Sequence, residues 1–150
     1  MNSVIKLFAT VCGVGYLPLA PGTFGTVIGI GLWFFLAYMP LVHYIIFAAV
    51  FILFASWVAD RAQLLFGAKD PKVIVIDEVA GFFVTMLGHS WGWKTVLAGF
   101  ILVRIFDIVK PFPGRWIERK LSNGFGVVLD DVAAGIYANV CLMILKRFGF

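Results

Sequence analysis

The chain reads as all-α: a compact, polytopic membrane bundle of about four or five apolar helical segments, preceded by a short N-terminal helix. Three observations predict this class. Of the 150 residues, 62% are hydrophobic and only 13% are charged, against about 25% charged in a soluble domain. The mean hydropathy of +1.01 leaves too few polar residues to cover a water-facing surface. The apolar residues also fall in runs of helix length, separated by short breaks rich in Pro, Gly or charge. The length allows one domain, spanning 1–150.

Val4, Ile5, Phe8 and Val11 fall at helical spacing and predict a short helix over 3–13. The following GYLPLAPGTFGT is too dense in Pro and Gly for regular helix and reads as an ordered loop. Thr23 or Thr26 is placed to cap the next helix, which runs to about Met39 and stops before Pro40. A second apolar helix, 41–59, is long enough to span. DRAQLLFGAKDPK is the first polar loop.

Residues 73–88 form a third apolar segment, shorter than the roughly 20 residues of an ideal span. HSWGWK is a Trp-rich turn suited to a membrane interface. Residues 95–109 give a fourth helix, KPFPGRWIERKLSNGFG a basic loop, and 130–145 a fifth helix.

Loop charge sets the orientation. The loop at 60–72 holds Arg61, Lys69 and Lys72, and that at 110–126 holds Lys110, Arg115, Arg119 and Lys120; the intervening connections hold only Lys94. The positive-inside rule places the first two loops, and the N-terminus, in the cytoplasm. Lys146 and Arg147 then fall outside if all five segments cross. A re-entrant third segment or a non-spanning terminal helix removes that conflict.

Against this apolar background six ionisable residues stand out: Asp77 and Glu78, Arg104 and Asp107, and Asp130 and Asp131. An ionisable group within a membrane span costs several kcal/mol or more unless paired, hydrated or metal-bound, so it marks function by default. The orientation places all six, with Thr23 at the start of the first span, within roughly 10 Å of one membrane boundary. Arg104, Asp107 and Lys110 climb one helix face. Gly81 and Gly135 follow the acidic pairs and permit close helix approach.

Up to five carboxylates beside Arg104, Lys110 and Arg115 suit a hard divalent cation and a phosphate. Magnesium prefers carboxylates, water and phosphate oxygens to soft ligands, and Arg and Lys recognise phosphate. The APGTFGT loop, with Gly22 and Thr23, offers backbone amides beside a helix start as a phosphate cradle. Bland readings compete for each element alone. Arg104 with Asp107 reads equally as a structural ion pair, and Asp130–Asp131 as helix-capping acids. Asp77–Glu78, placed mid-segment in IVIDEVAG, has no capping role.

Other classes fit poorly. The net charge of +4 follows from loop residues rather than a basic soluble face, which argues against nucleic acid. Cys12 and Cys141 form no disulfide or metal-thiolate pattern. Cys141 to Arg147 matches a C-x5-R phosphatase spacing, but bulky residues fill the interval where that chemistry needs a Gly-rich loop. The N-terminus lacks a clear cleavage site and reads as uncleaved. His43 and His89 lie on the far side, and Asp60 and Asp70 in the cytoplasmic loop read as solvated, with either able to reach the site. The alternative function is a small membrane transporter or proton/cation pathway using the buried acids; it would distribute charge across the bilayer depth.

The motifs LPLAPGTFGT, VIDEVAGF, RIFDIVKPFPGRWIER and GFGVVLDDVAAGI, in this order from about Gly15 to Asn139, resemble the phosphatidylglycerophosphatase A family. The resemblance implies a Mg²⁺-dependent lipid phosphatase of the bacterial inner membrane, multi-pass, with its site facing the cytoplasm. It would hydrolyse phosphatidylglycerophosphate to phosphatidylglycerol and inorganic phosphate in phospholipid biosynthesis. By position, the family's first acidic pair falls on Asp77 and Glu78, its R-x-x-D-x-x-K-P motif on Arg104, Asp107, Lys110 and Pro111, its second pair on Asp130 and Asp131, and its P-G-T loop on Pro21, Gly22 and Thr23.

The expected roles follow. Asp77, Glu78, Arg104, Asp107 and Asp131 are catalytic. Asp77, Glu78, Asp107, Asp130 and Asp131 supply metal ligands. Gly22, Thr23, Arg104, Lys110 and Arg115 bind the phosphate. Water and an aspartate remain rival nucleophiles, and the oligomeric state stays open.

Overall fold

The computed structural model describes residues 2–68 and 70–150, apart from the side chain of Glu118; Lys69, counted above among the first loop's basic residues, lies outside them. The described residues form seven α-helices and one 3-10 turn, Val14–Tyr16. The helices are α1 (Asn2–Ala9), α2 (Pro21–Leu36), α3 (Leu41–Phe66), α4 (Ile76–Thr85), α5 (Trp93–Val109), α6 (Gly114–Lys120) and α7 (Gly124–Arg147).

α4 is the axis of the bundle. It packs against α2, α3, α5 and α7, and eight of its ten residues are buried. A helix apolar nearly all round has to be enclosed, and Phe82, Phe83, Val79 and Ala80 leave α4 no wet face. Around its C-terminal half lie Trp33, Val103 and Leu142. Around its N-terminal half lie Ile5, Ala55, Ala59, Ala62 and Val128.

α3 shows how an apolar helix is divided between protein and lipid. Its inner stripe is small, with Ala48, Ala55, Ala59 and Ala62 buried, which lets neighbouring backbones come close. Its outer stripe is large and exposed: Ile46, Val50, Leu53 and Leu64. Such a face is stable against acyl chains and costly in water. At 1.5 Å per residue the 26 residues of α3 and 24 of α7 reach about 39 and 36 Å, enough to cross a hydrocarbon core of about 30 Å. α2 is a shorter apolar helix, and α5, of 17 residues, carries Lys94, Arg104 and Asp107. α4, about 15 Å long by the same rise, is too short to cross.

Several boundaries differ from the expected ones, each for a local reason. The first helix ends at Ala9 because Val11 and Cys12 adopt positive φ. α2 starts at Pro21 behind Ala20, also at positive φ, so neither Thr23 nor Thr26 caps it; Pro at the first helical position suits its fixed φ and missing N–H. α3 runs on to Phe66 and stops at the left-handed Gly67. Within the segment expected over 73–88, Val73–Val75 precede the helix, and the Val75 N–H donates to the Ala9 carbonyl. The basic loop folds into the short α6. α7 begins at Gly124, with the Asn123 side chain accepting from the Gly126 N–H as its cap.

These boundaries reposition the acids. Asp77 and Glu78 lie in the first turn of α4 rather than mid-segment, where carboxylates complement the helix dipole. Asp130 and Asp131 lie nearly two turns inside α7, so the capping reading does not apply to them.

Candidate metal and phosphate site

Five helices deliver one end each to a common cavity of about 520 Å³. α2 brings Pro21 and Gly22, α3 brings Gln63, and α4 brings Asp77 and Glu78. α5 brings Arg104 and Asp107, with Lys110 at its C-terminal end, and α7 brings Asp130 and Asp131. The six ionisable residues that stood out in the sequence therefore line one chamber.

Within it, Glu78, Asp107 and Asp131 each present a carboxylate oxygen within 4.8 Å of the other two. Opposite ligands of an octahedral Mg²⁺ stand about 4.2 Å apart, and its ligands are hard oxygens. The trio matches in both chemistry and scale. Arg104 Nη1 pairs with Glu78 Oε2 and lies 3.2 Å from Asp107 Oδ2, so it balances charge on two of the three. The Thr26 hydroxyl lies 3.3 Å from the same Glu78 oxygen and 3.1 Å from the Gly22 carbonyl.

The other acids are held differently. Asp77 Oδ1 accepts from the Glu78 backbone N–H at 3.0 Å, which orients its carboxylate at the head of α4. Asp130 pairs with the Lys110 ammonium. Lys110 closes α5 in the left-handed conformation, at φ 47°, a geometry glycine supplies more cheaply. A lysine there places an ammonium where glycine would place nothing.

Charge counting tests the fit of a cation. Among the described residues six carboxylates line the chamber (the five above and Asp70), against Lys72, Arg104 and Lys110. A phosphate anion entering that excess of three acids would be repelled unless a divalent cation came with it.

Two expected phosphate contacts, Thr23 and Arg115, are not among the residues lining this chamber; Gly22 is. Arg115 instead donates to the Val109 carbonyl at 2.9 Å, outside it. Asp60 accepts from the Gly124 N–H at 3.2 Å at the start of α7, a structural role. Sequence reasoning gave Gln63 no role, Thr26 only a helix cap and Lys72 only a loop charge. Gln63 is the most informative of them: its Nε2 is buried with no hydrogen-bond partner among the described residues. A buried donor at a cavity wall is open to a bound water or to a guest. Its sequence signal was a lone amide in ADRAQLLF, a polar loop in the expected layout and a helix in the actual one.

A family model described as phosphatidylglycerophosphatase A matches residues 7–146. Phosphatidylglycerophosphatase A of Haemophilus influenzae is 37% identical over 147 residues, covering 95% of this chain and 88% of that protein. The Escherichia coli protein of the same name is 32% identical over 139 residues, covering 91% and 80%. A Bacteroides thetaiotaomicron protein named "Putative phosphatidylinositol-3-phosphatase" is 36% identical over 149 residues, covering 93% and 92%. No solved structure matches significantly. With its motifs, its helical membrane fold and these matches in agreement, the chain belongs to the phosphatidylglycerophosphatase A family.

Proposed function

We propose that the protein is a Mg²⁺-dependent lipid phosphatase that hydrolyses the terminal phosphomonoester of phosphatidylglycerophosphate, in phosphatidylglycerol biosynthesis. It would act at the cytoplasmic face of a bacterial inner membrane. The observation that carries this reading is the Glu78–Asp107–Asp131 trio beside Arg104 and Lys110 in one chamber. Family membership supplies the lipid, since two of the relatives bear that activity as their name.

Mg²⁺ held by Glu78, Asp107 and Asp131 would supply Lewis-acid polarisation of a phosphoryl oxygen and of water. The chain's own residues do the rest. Arg104 and Lys110 neutralise charge that builds on the phosphoryl oxygens. The Gln63 amide and the backbone around Gly22 bind and orient the phosphate. Asp77 lines the chamber but stands outside the trio, and we assign it as the base that takes the proton from attacking water. As the water oxygen bonds to phosphorus, the P–O bond to glycerol breaks, and the departing glycerol oxygen takes the proton held by Asp77, releasing phosphatidylglycerol and inorganic phosphate.

The transporter alternative needs charges through the bilayer depth. The cavity at the far end of the bundle is instead walled mostly by Trp33, Leu36, Leu41, Tyr44 and Met86, with His89 and Ser90 but no carboxylate, Lys or Arg among the described residues, which supports chemistry at one face. The test is phosphate release by the purified protein from a panel of lipid phosphates, phosphatidylinositol-3-phosphate included, with Mg²⁺ and with EDTA. Mg²⁺-restored release, fastest from phosphatidylglycerophosphate, is the expected result. Release unaffected by chelator would overturn the metal, and release from none would overturn the enzyme.

A further inference from the structure

A second cavity of about 490 Å³ lies between the end of α5 and α6, lined by Lys110, Phe112, Arg115, Trp116 and Arg119 among others. Its chemistry inverts that of the first. Among the side chains described no carboxylate lines it, and its three cations sit on an otherwise apolar and aromatic wall. The acid excess of the first chamber calls for a divalent cation beside a phosphate; here Arg115 and Arg119 present charge suited to an anion directly. Lys110 lines both, so the two chambers adjoin.

The wall is built rather than incidental. The Tyr137 hydroxyl donates to the Phe112 carbonyl at 2.6 Å, and the Tyr137 ring stacks on Phe106 with centroids 5.4 Å apart. A Cβ on Gly114 would meet Asp130 Oδ1 at 2.7 Å, so α6 starts hard against α7. The Arg115 bond to the Val109 carbonyl holds its guanidinium at the cavity. Outside, Ile108 and Phe112 are each 75% exposed and Trp116 52%; aromatic side chains of this kind settle at headgroup depth.

We propose that this second cavity holds the phosphodiester of the same lipid whose phosphomonoester enters the first, with Arg115 and Arg119 recognising it. The inference rests on the lipid phosphatase reading above. That substrate carries two phosphates joined by one three-carbon bridge, a dianionic monoester at its tip and a monoanionic diester next to the acyl glycerol. Two adjoining chambers with a shared lysine match that order. The acyl chains then leave past Ile108 and Phe112 into lipid. The arginines thereby distinguish a diester-bearing headgroup from a bare monoester such as phosphatidic acid.

The test compares wild type with Arg115→Ala/Arg119→Ala and with the charge-conserving Arg115→Lys/Arg119→Lys. On phosphatidylglycerophosphate the alanine pair should raise KM about tenfold or more with kcat little changed, and the lysine pair should recover part of it. Short-chain phosphatidylglycerol, which has the diester but no monoester, should inhibit wild type competitively and the alanine pair hardly at all. A fall in kcat at unchanged KM, or inhibition equal in both proteins, would overturn the proposal. Unchanged KM with phosphatidylglycerol acting non-competitively would assign the cavity to a bystander lipid instead and overturn it too. A binding readout separates this from failure of the phosphatase reading: short-chain phosphatidylglycerol should quench Trp116 fluorescence, taken as the difference from Trp116→Phe. The signal should be lost in the alanine pair whether or not phosphate is released, and its persistence there would sink the second site.

Discussion

Gly81 on α4 faces the backbone of Asp131 on α7 so closely that a Cβ on Gly81 would lie 2.8 Å from the Asp131 carbonyl oxygen. One turn on, a Cβ on Gly135 would run into the Gly81 carbonyl. This interlock sets the separation of the helices that carry Glu78 and Asp131. Gly81→Ala would push against the Asp131 backbone and Cβ, neither of which can swing aside, so it should destabilise the bundle by about 1–3 kcal/mol and lower activity together with melting temperature. Gly31→Ala, with nothing within 4 Å, is the matched control and should melt within about 0.5 kcal/mol of wild type. A normal melt for Gly81→Ala would mean the helices are not locked there.

Gly22 separates activity from stability in the opposite sense. A Cβ there would strike the Glu78 carboxylate and come within 3.4 Å of Arg104 Nη1. Both are the ends of flexible side chains, which can swing aside at little cost to the fold. Gly22→Ala should therefore melt near wild type while losing phosphate release at least about tenfold, because small misplacements at a reacting centre are costly. Paired thermal and activity measurements check it.

The carboxylates should divide into two kinds. Glu78→Gln, Asp107→Asn and Asp131→Asn should each raise the Mg²⁺ concentration for half-maximal activity, with turnover falling about 100-fold or more. Asp77→Asn should abolish turnover with Mg²⁺ binding retained, read by Mn²⁺ as a paramagnetic substitute. Loss of metal affinity in Asp77→Asn would move Asp77 into the ligand set and leave the base unassigned.

Lys110 and Asp130 form a mostly buried ion pair, with side-chain exposures of 25% and 8%. Lys110→Met strips the ammonium that faces a buried carboxylate and should cost about 1–3 kcal/mol, discounted for the exposure of the lysine. Lys110→Met/Asp130→Asn should restore part of that loss, because the uncompensated charge goes too. A thermal-melt double-mutant cycle reads the coupling, and strictly additive losses would show the two groups act independently.

The layer of charge was legible in the sequence because two local signals agreed: acids in apolar runs, and basic loops that oriented them. The helix starts were not. KVIVIDEVAG looks like continuous apolar helix, yet Val75 bonds to Ala9, a partner no local pattern discloses. That non-local bond moves Asp77 and Glu78 from mid-helix into a first turn. Likewise GFGVVL reads as loop because of its glycines, whereas Gly124 is required by contact with Asp60 and Ser56 on α3, and Gly126 by contact with Leu121. Gln63 and Thr26 escaped for a related reason. Neither is unusual in its own segment, and each becomes noticeable only once α3 and α2 meet α4.

Because the chamber is made from the ends of five helices, with contributing residues from Ala20 to Asp131, no single helix contains even half of it. A nascent or partly inserted chain thus carries scattered carboxylates and no functioning fragment of a site. On the proposed metal site, affinity would report on assembly: the cation would be gripped only after α4 has been enclosed, and gripping it would then fasten α7 to α4 and α5.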